Sequence, residues 1–279
     1  MILVTGAEGF VGWSLCRALG REEIPFRPYM SQLHNDIALR REIEGIETVI
    51  HLAGAERRGR RGPVEYVDVE GTRRLLAACQ RAEVKRFITV SRLHADAHSL
   101  YPLLRAKGKQ EKLIEQSGIP YTIIRSATLF GRFDYFLNFI DYRLRRSWPL
   151  AWLPGGGQVM MQPFWVEDLA QCLVLSLSRD DLINKTVEVA GEERLSYREI
   201  VEMVVEVTGR QRLYVPIRLL LYRYLARLAY SWQRKPWVTR FMVDRFAVPD
   251  IAPLDATLRV YHFRPHRIGE IIAFMRRMG

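Results

Sequence analysis

Ile2-Leu3-Val4-Thr5-Gly6-Ala7-Glu8-Gly9-Phe10-Val11-Gly12 is the stretch that decides the fold. An apolar run ends at Thr5, three glycines follow at intervals of three, and a helical pattern starts among them. In that context each glycine has its own task. Gly6 permits a tight turn, Gly9 lets a ligand approach the backbone, and Gly12 lets a helix pack closely on the strand. Unpaired N–H groups at the helix start then face a phosphate. The pattern predicts a dinucleotide pyrophosphate site, with Glu8, Phe10 and Val11 supplying the backbone around it.

Working outward, short apolar runs alternate with helical patterns to about residue 130. Strands are predicted at 2–5, 25–29, 48–52, 87–91 and 121–125, and helices at 11–19, 64–82 and 103–116. Such alternation with fully apolar strands predicts an α/β fold, a Rossmann-type doubly wound parallel sheet covered on both faces. Beyond Phe130-Gly131 the pattern loosens, and Pro154-Gly155-Gly156-Gly157 marks a turn. Val166 to Ser178 reads as a helix with Glu167 and Asp168 near its positive end, and Thr186 to Ala190 as a strand. Ser196 and Glu199 have capping-box spacing ahead of another helix. The expected division is a dinucleotide-binding domain over 1–150, to which some later segments return, and a smaller, basic C-terminal α+β lobe over 151–279.

Of the 279 residues, 48% are hydrophobic and 26% charged, which suits a folded chain with a real core rather than a disordered one. Cys16, Cys79 and Cys172 are too scattered for a metal cluster and odd in number for a disulfide framework. The first residues lack a signal-peptide pattern and no long apolar run suggests a spanning helix, so a cytoplasmic location is expected, with peripheral membrane contact left open. The net charge of +11 is concentrated: residues 210–279 hold 14 Arg and Lys against 4 Asp and Glu, a balance of +10. That region suits a solvated face or an anionic partner such as a lipid surface, another subunit or an acidic substrate. No recognition module points to nucleic acid. Within it, Ile217 to Trp232 gathers Arg223, Arg227 and Ser231 on one helical face beside a broad Leu, Tyr and Trp surface. Such a helix suits burial in protein or a membrane interface.

The glycine spacing resembles that of the extended and atypical short-chain dehydrogenase/reductase superfamily, the epimerase/dehydratase-like proteins, and further segments over about the first 210 residues agree. Asn35-Asp36-Ile37 resembles the family's G-D-L, whose Asp lies near the adenine, and Val49-Ile50-His51-Leu52-Ala53-Gly54 resembles its V-I-H-L-A-G, which borders the cofactor ribose. Val67-Asp68-Val69-Glu70-Gly71-Thr72 is similar to V-N-V-x-G-T, with Asp68 where the family usually has Asn. Phe87-Ile88-Thr89-Val90-Ser91 resembles the strand ending in the active-site Ser, and Ile123-Ile124-Arg125-Ser126 resembles I-L-R-P without its proline. Phe164 to Ala170 resembles the V-x-D-x-A helix start of the substrate lobe. The resemblance implies NAD(P) held by Gly6, Glu8, Gly9, Phe10, Val11, Gly12, Asp36, Ile37, Leu52, Ala53, Gly54, Val90, Lys107 and Arg125, with Ser91, Tyr101 and Lys107 as catalytic candidates. After the second strand Met30-Ser31-Gln32 supplies no carboxylate for a ribose 2′-hydroxyl, which leans toward NADP, with Arg27 or Arg57-Arg58 as phosphate partners.

Enzymes of this superfamily place a Tyr four residues before a Lys on one helix face, the Lys lowering the Tyr pKa. Here Arg105-Ala106-Lys107-Gly108-Lys109-Gln110-Glu111 is similar to the family's R-x-K-x-x-x-E, which puts Leu103 where the Tyr belongs. Tyr101 precedes Lys107 by six residues, about 240° around a helix, although Pro102 at the first helical position would leave Tyr101 outside it and able to swing. Lys107 serves without catalysis too, by hydrogen-bonding the nicotinamide ribose. Loss of the Tyr with retention of the Lys is similar to the atypical branch that contains the nucleotide-binding accessory subunit of respiratory complex I, and Lys235 to Phe246 loosely resembles that branch's C-terminal pattern. Two readings follow. One is an NAD(P)H-binding protein that holds its cofactor as a structural or regulatory element in a membrane-associated assembly, docked through residues 210–279. The alternative is a reductase, dehydrogenase or epimerase acting on a small carbonyl or sugar-nucleotide substrate.

Overall fold

The computed structural model describes residues 1–54, 64–224 and 244–278. β1 (Ile2–Thr5), β3 (Thr48–His51), β4 (Arg86–Arg92) and β5 (Tyr121–Ser126) are rich in β-branched residues, and most of their positions are buried. Residues of that kind fit strands covered on both faces. β2 (Phe26–Tyr29) carries Pro28 and stands at the sheet's edge, where a missing N–H is tolerated. With β7 (Lys185–Val189) at the other edge, six parallel strands run in the order β2-β1-β3-β4-β5-β7. The chain goes from β1 out to β2 and returns to β3 on the other side of β1. That makes β1/β3 the switch point, beyond whose carboxyl ends an open parallel sheet forms its ligand crevice.

The helices that follow these strands are α1 (Phe10–Arg21), α2 (Asp36–Ile43), α3 (Gly71–Arg81) and α4 (Pro102–Glu115). Leu3, Val49, Phe87 and Ile123 from four neighbouring strands pack with Leu39, Leu75, Cys79 and Ile114 from the helices. Each large apolar side chain buried there contributes about 1.5–3 kcal/mol. The helix predicted over 64–82 differs in its first part. Residues Glu65–Glu70 are π-helical before α3 begins, and Asp68 within that wider turn is wholly buried. π-helical turns recur at functional sites.

The chain divides into two units, residues 1–126 with 166–189, and residues 127–165 with 190–279. The first stretch ends before the expected 150, and one later segment returns to the first unit. Residues 127–150 belong to the second unit, because Leu137, Ile140 and Leu144 of α5 (Leu137–Arg146) pack with Ile200 and Val204 of α7 (Tyr197–Thr208). Residues 166–189 belong to the first. β7 pairs with β5 from Lys185↔Thr122 to Val189↔Ser126, and Glu167 of α6 (Val166–Leu175) accepts a hydrogen bond from Ser14 at 3.2 Å.

In the second unit β6 (Leu150–Pro154) pairs in parallel with β8 (Leu213–Ile217). The predicted capping box forms: Ser196 Oγ accepts from Glu199 N at 3.2 Å and Glu199 Oε2 accepts from Ser196 N at 2.7 Å. Of the helix predicted over 217–232, Ile217 instead ends a strand and the helix begins at 219; residues 219–224 are helical, with Leu220, Leu221 and Tyr224 exposed and Tyr222 buried against Arg143. Arg223 pairs with Asp244 at 2.9 Å. Arg227, Ser231 and Trp232 lie outside the described residues, as do residues 235–243 of the C-terminal pattern. No helix among the described residues is long and apolar enough to cross a membrane.

Candidate functional site

The site grows from the glycine turn. Gly6 has φ +73°, and a Cβ there would stand 2.7 Å from the backbone of Leu52 and Ala53, so only glycine lets the turn lie against the end of β3. A Cβ on Gly12 would stand 2.1 Å from Gly6 O, which excludes any side chain where α1 meets the turn. Gly9 is different: its φ is an ordinary −75°, and its Cβ would meet only Gly6 O, at 3.0 Å. The space beside Gly9 is a cradle that a side chain would fill. The first turn of α1 closes with Trp13 N donating to Gly9 O at 2.8 Å, so the N–H groups of Phe10, Val11 and Gly12 lie in the unpaired part of a helix N-terminus, the arrangement that holds a pyrophosphate. Glu8 is exposed on the same turn.

Leu52 N donates to Thr5 O at 3.0 Å, which carries the ladder past His51 and sets Leu52-Ala53-Gly54 beside the glycines. A Cβ on Gly54 would stand 3.1 Å from Asp68 Oδ1 and 3.6 Å from Lys107 Nζ. The glycine turn, the end of β3, Asp68 and Lys107 are therefore immediate neighbours.

Lys107 and Asp68 make an ion pair at 2.8 Å, with the Lys side chain 10% exposed and the Asp side chain fully buried. Lys107 Nζ also donates to Gln110 Oε1 at 3.0 Å, and Gln110 Nε2 donates to Thr72 Oγ1 at 2.9 Å. Thr72 donates its one hydroxyl proton to Asp68 O at 2.7 Å. A hydroxyl has a single donor, so the 2.9 Å contact between Thr72 Oγ1 and His51 Nε2 has the imidazole N–H donating. His51 is then the Nε2–H tautomer, and its Nδ1 accepts from Thr5 Oγ1 at 2.7 Å. Burial, reinforced by the Lys107 charge, lowers the His51 pKa to about 3 and keeps the ring neutral. This buried chain ties the ends of β1 and β3 to α3 and α4 and fixes the Lys107 ammonium in place.

Tyr101 caps α4 with extended backbone, φ −89° and ψ 118°, and Pro102 is the first helical residue. Leu103, one turn before Lys107 on the same face, is buried. Tyr101 N donates to Ser99 Oγ at 3.2 Å, and Gly108 explains how that loop lies so close to α4: a Cβ there would stand 2.2 Å from the backbone of Asp96 and Ala97. Val90 and Ser91 lie near the end of β4; Ser91 is buried, and its Oγ has no hydrogen-bond partner among the described residues. A buried hydroxyl left open suits an incoming ligand.

Other expected site residues have protein partners. Arg125 binds Glu111 in a two-point contact, Nε to Oε1 at 3.1 Å and Nη2 to Oε2 at 2.6 Å, and Nη2 donates to Ala95 O, an anchor between β5 and α4. Asp36 begins α2, is 60% exposed and lies 3.5 Å from Arg74, and Ile37 beside it is exposed. Arg27 donates to Glu42 O at 2.8 Å, while Arg57 and Arg58 lie outside the described residues. Gln110 and the pairing of Asp68 with Lys107 escaped the sequence reading. Gln110 had one signal, its place three residues after Lys107 and so on the same helix face.

Residues 27–132 match the NAD(P)H-binding family. The chain is 30% identical over 276 residues to the mouse mitochondrial NADH dehydrogenase [ubiquinone] 1 alpha subcomplex subunit 9, covering 90% of this chain and 73% of that protein. Among solved structures it is similar to MoeE5 in complex with UDP-glucose and NAD, with TM-score 0.75 and 20% identity over 99% of both chains. It is also similar to an NADPH-dependent quinone oxidoreductase from Escherichia coli, with TM-score 0.74 and 17% identity over 100% of both. These two structures share the fold.

Proposed function

The chain belongs to the NAD(P)-binding extended short-chain dehydrogenase/reductase family, and on that premise we propose that it holds NAD(P)H as a structural or regulatory element of a membrane-associated assembly. The observation that carries this reading is the pairing of a locked lysine with an absent acid. Lys107 is held by Asp68 and Gln110, while the position one turn earlier on its face is the buried Leu103. Hydride transfer to a carbonyl is accelerated by a side chain placed to give the matching proton, and Leu103 cannot supply one. In this reading the first-turn N–H groups of α1 hold the pyrophosphate, Lys107 holds the ribose hydroxyls, and the buried network keeps both aligned. The absence of a carboxylate at Met30-Ser31-Gln32 supports NADP(H) over NAD(H). Similarity to a mitochondrial NADH dehydrogenase subunit and the +10 balance of residues 210–279 support docking on an anionic, membrane-associated surface.

The test is to purify the chain, record the fluorescence and identity of any bound dinucleotide, and offer carbonyl acceptors. The reading expects retained NAD(P)H, slow oxidation with every acceptor, and no change on Tyr101→Phe. Flotation with anionic vesicles at two salt concentrations checks the docking part, which expects binding that weakens as salt rises. Fast turnover of one acceptor, lost in Tyr101→Phe, would establish the second reading instead, an oxidoreductase or epimerase using Ser91, Tyr101 and Lys107. That reading is favoured by one observation, the buried Ser91 hydroxyl without a protein partner among the described residues.

A further inference from the structure

We propose that the outer face of the strand pair β6–β8, with Trp148 beside it, is the surface that the chain lays against anionic lipid. It deepens the docking part of the function proposed above and rests on it. Its basis is a sheet that is apolar on both faces. Ala151 and Leu153 of β6 belong to the core of the second unit, and Tyr214 of β8 packs on that core. Side chains alternate across a strand, so Leu150 and Trp152 point the other way, as do the residues beside them in register, Leu213 and Val215. A sheet with one face on the core ordinarily carries polar side chains on the other. Here all four are apolar, with Trp152 37% exposed and Leu213 64%. Leu213 N donates to Pro149 O at 2.9 Å, which sets the turn carrying Trp148, itself 75% exposed, at the same strand end. Beyond the far end of β8, Leu220, Leu221 and Tyr224 are exposed on the helical turn 219–224, which Tyr222 ties to Arg143 of α5 at 2.9 Å.

Charge selects the partner. Residues 142–165 and 207–224, which build this face, hold seven Arg and no Asp or Glu. Arg146 and Arg218 are exposed. Carboxylates on adjoining elements pair with arginine, Asp141 with Arg145 and Arg210, Asp244 with Arg223 and Glu202 with Arg198, while Glu206 is exposed near the end of α7. The sequence that follows, residues 225–243, adds four Arg and Lys and no acidic residue, so it leaves the sign of the charge unchanged. Exposed apolar patches mark protein or membrane contacts, and a one-signed basic fringe around Trp, Tyr and Leu is the composition of the second kind. Trp and Tyr settle at headgroup depth, leucine enters the acyl boundary beneath them, and Arg is drawn to anionic headgroups.

The experiment titrates the purified full chain with phosphatidylcholine vesicles, with and without phosphatidylglycerol, at two salt concentrations. The native chain should bind the anionic vesicles, and more weakly as salt rises. Trp148→Ser combined with Trp152→Ser should raise the Kd for them at least about tenfold, because two large side chains no longer enter the interface, and Phe at both positions should restore most of the affinity. Arg146→Gln combined with Arg218→Gln should cost about 25-fold on anionic vesicles, roughly fivefold per Arg, and little on neutral ones. Leu100→Ser, which removes an exposed apolar side chain from the first unit, should change nothing. Native binding that every one of these variants keeps overturns the proposal and leaves docking to another surface. A dimer in solution that the Ser pair dissociates, or a lower melting temperature in the Ser pair with vesicle affinity unchanged, overturns it too, since the face would then belong to a second copy or to the chain's own packing. Failure of the native chain to bind any vesicle would instead refute lipid docking itself, and this surface with it.

Discussion

The buried imidazole of His51 makes the first unit sensitive to acid by an amount that the geometry defines. Its two nitrogens are both engaged, Nε2–H donating to Thr72 and Nδ1 accepting from Thr5, and a proton added at Nδ1 would face a hydroxyl that now donates to it. The pKa is about 3 in the fold against 6.5 for the free side chain. A lowered pKa means that the folded chain binds the proton less well than the unfolded one. The stabilisation is therefore complete above pH 6.5 and declines as pH falls toward 3. At pH 4.5 the gap from 6.5 corresponds to about 3 kcal/mol. The comparison is His51→Gln, which can still donate to Thr72 but does not titrate. Urea unfolding at pH 7.0 and 4.5, read by pulsed hydrogen exchange in peptides from β1, β3 and β4, reports on this unit alone. The native chain should lose about 3 kcal/mol more than His51→Gln between the two pH values. Parallel losses, within about 0.5 kcal/mol, would show that the imidazole is not held neutral by burial and would refute the tautomer assigned to it.

Asp134 in the second unit responds in the opposite direction. Burial raises its pKa from 3.8 to about 6 despite N–H groups donated by Gly131, Phe136 and Asn138, so its contribution is complete below pH 3.8 and is lost as pH rises through 6. Relative to Asp134→Asn, the native second unit should lose about 3 kcal/mol between pH 3.8 and 7, measured by exchange in α5 peptides; a pH-independent difference refutes the burial argument. Gly9→Ala should leave thermal stability within about 0.5 kcal/mol while lowering dinucleotide affinity at least about tenfold, because the new methyl enters the open cradle. Gly12→Ala should cost about 2–3 kcal/mol even without ligand, since its methyl would meet the Gly6 carbonyl, and equal melting of the two variants would contradict this distinction. Glu111→Ala leaves Arg125 without its partner and should cost about 3 kcal/mol with dinucleotide Kd unchanged within about twofold; a large Kd change at constant stability would return Arg125 to the cofactor.

The parallel strands and the glycine turn were legible because their signals are local. β1 ends at Thr5 as its apolar run does, and the three glycines answer to contacts within ten residues or to the adjoining end of β3. Boundaries between units were not. Residues 166–189 join the first sheet through pairing with β5, some 60 residues away, and no periodicity in α6 or β7 announces that partner. The π-helical stretch 65–70 was hidden for a related reason, since one wider turn leaves a 3.6-residue pattern almost unchanged. Asp68 was visible as a departure from a motif, but its meaning was not, because Lys107 lies 39 positions later and meets it only through the fold.

The cost of that pair bears on what the site is for. Burying a lysine and a carboxylate together loses much of their hydration, and well-packed apolar residues of similar volume are often as stabilising or more so. Stability alone would be served by continuing the apolar surface of Leu103 and Ala106 along α4. Instead Lys107 and Asp68 are enclosed with Gln110, Thr72, His51 and Thr5 in one hydrogen-bonded chain, and it borders the backbone where a dinucleotide belongs. A ligand that hydrogen-bonds the lysine accounts for keeping the charge, beside a position one turn earlier that is filled by the buried Leu103. The geometry that holds the lysine and the residue that precedes it by one turn are therefore set separately in this fold: Asp68 and Gln110 fix the ammonium, while the position before it on the helix face carries the buried Leu103.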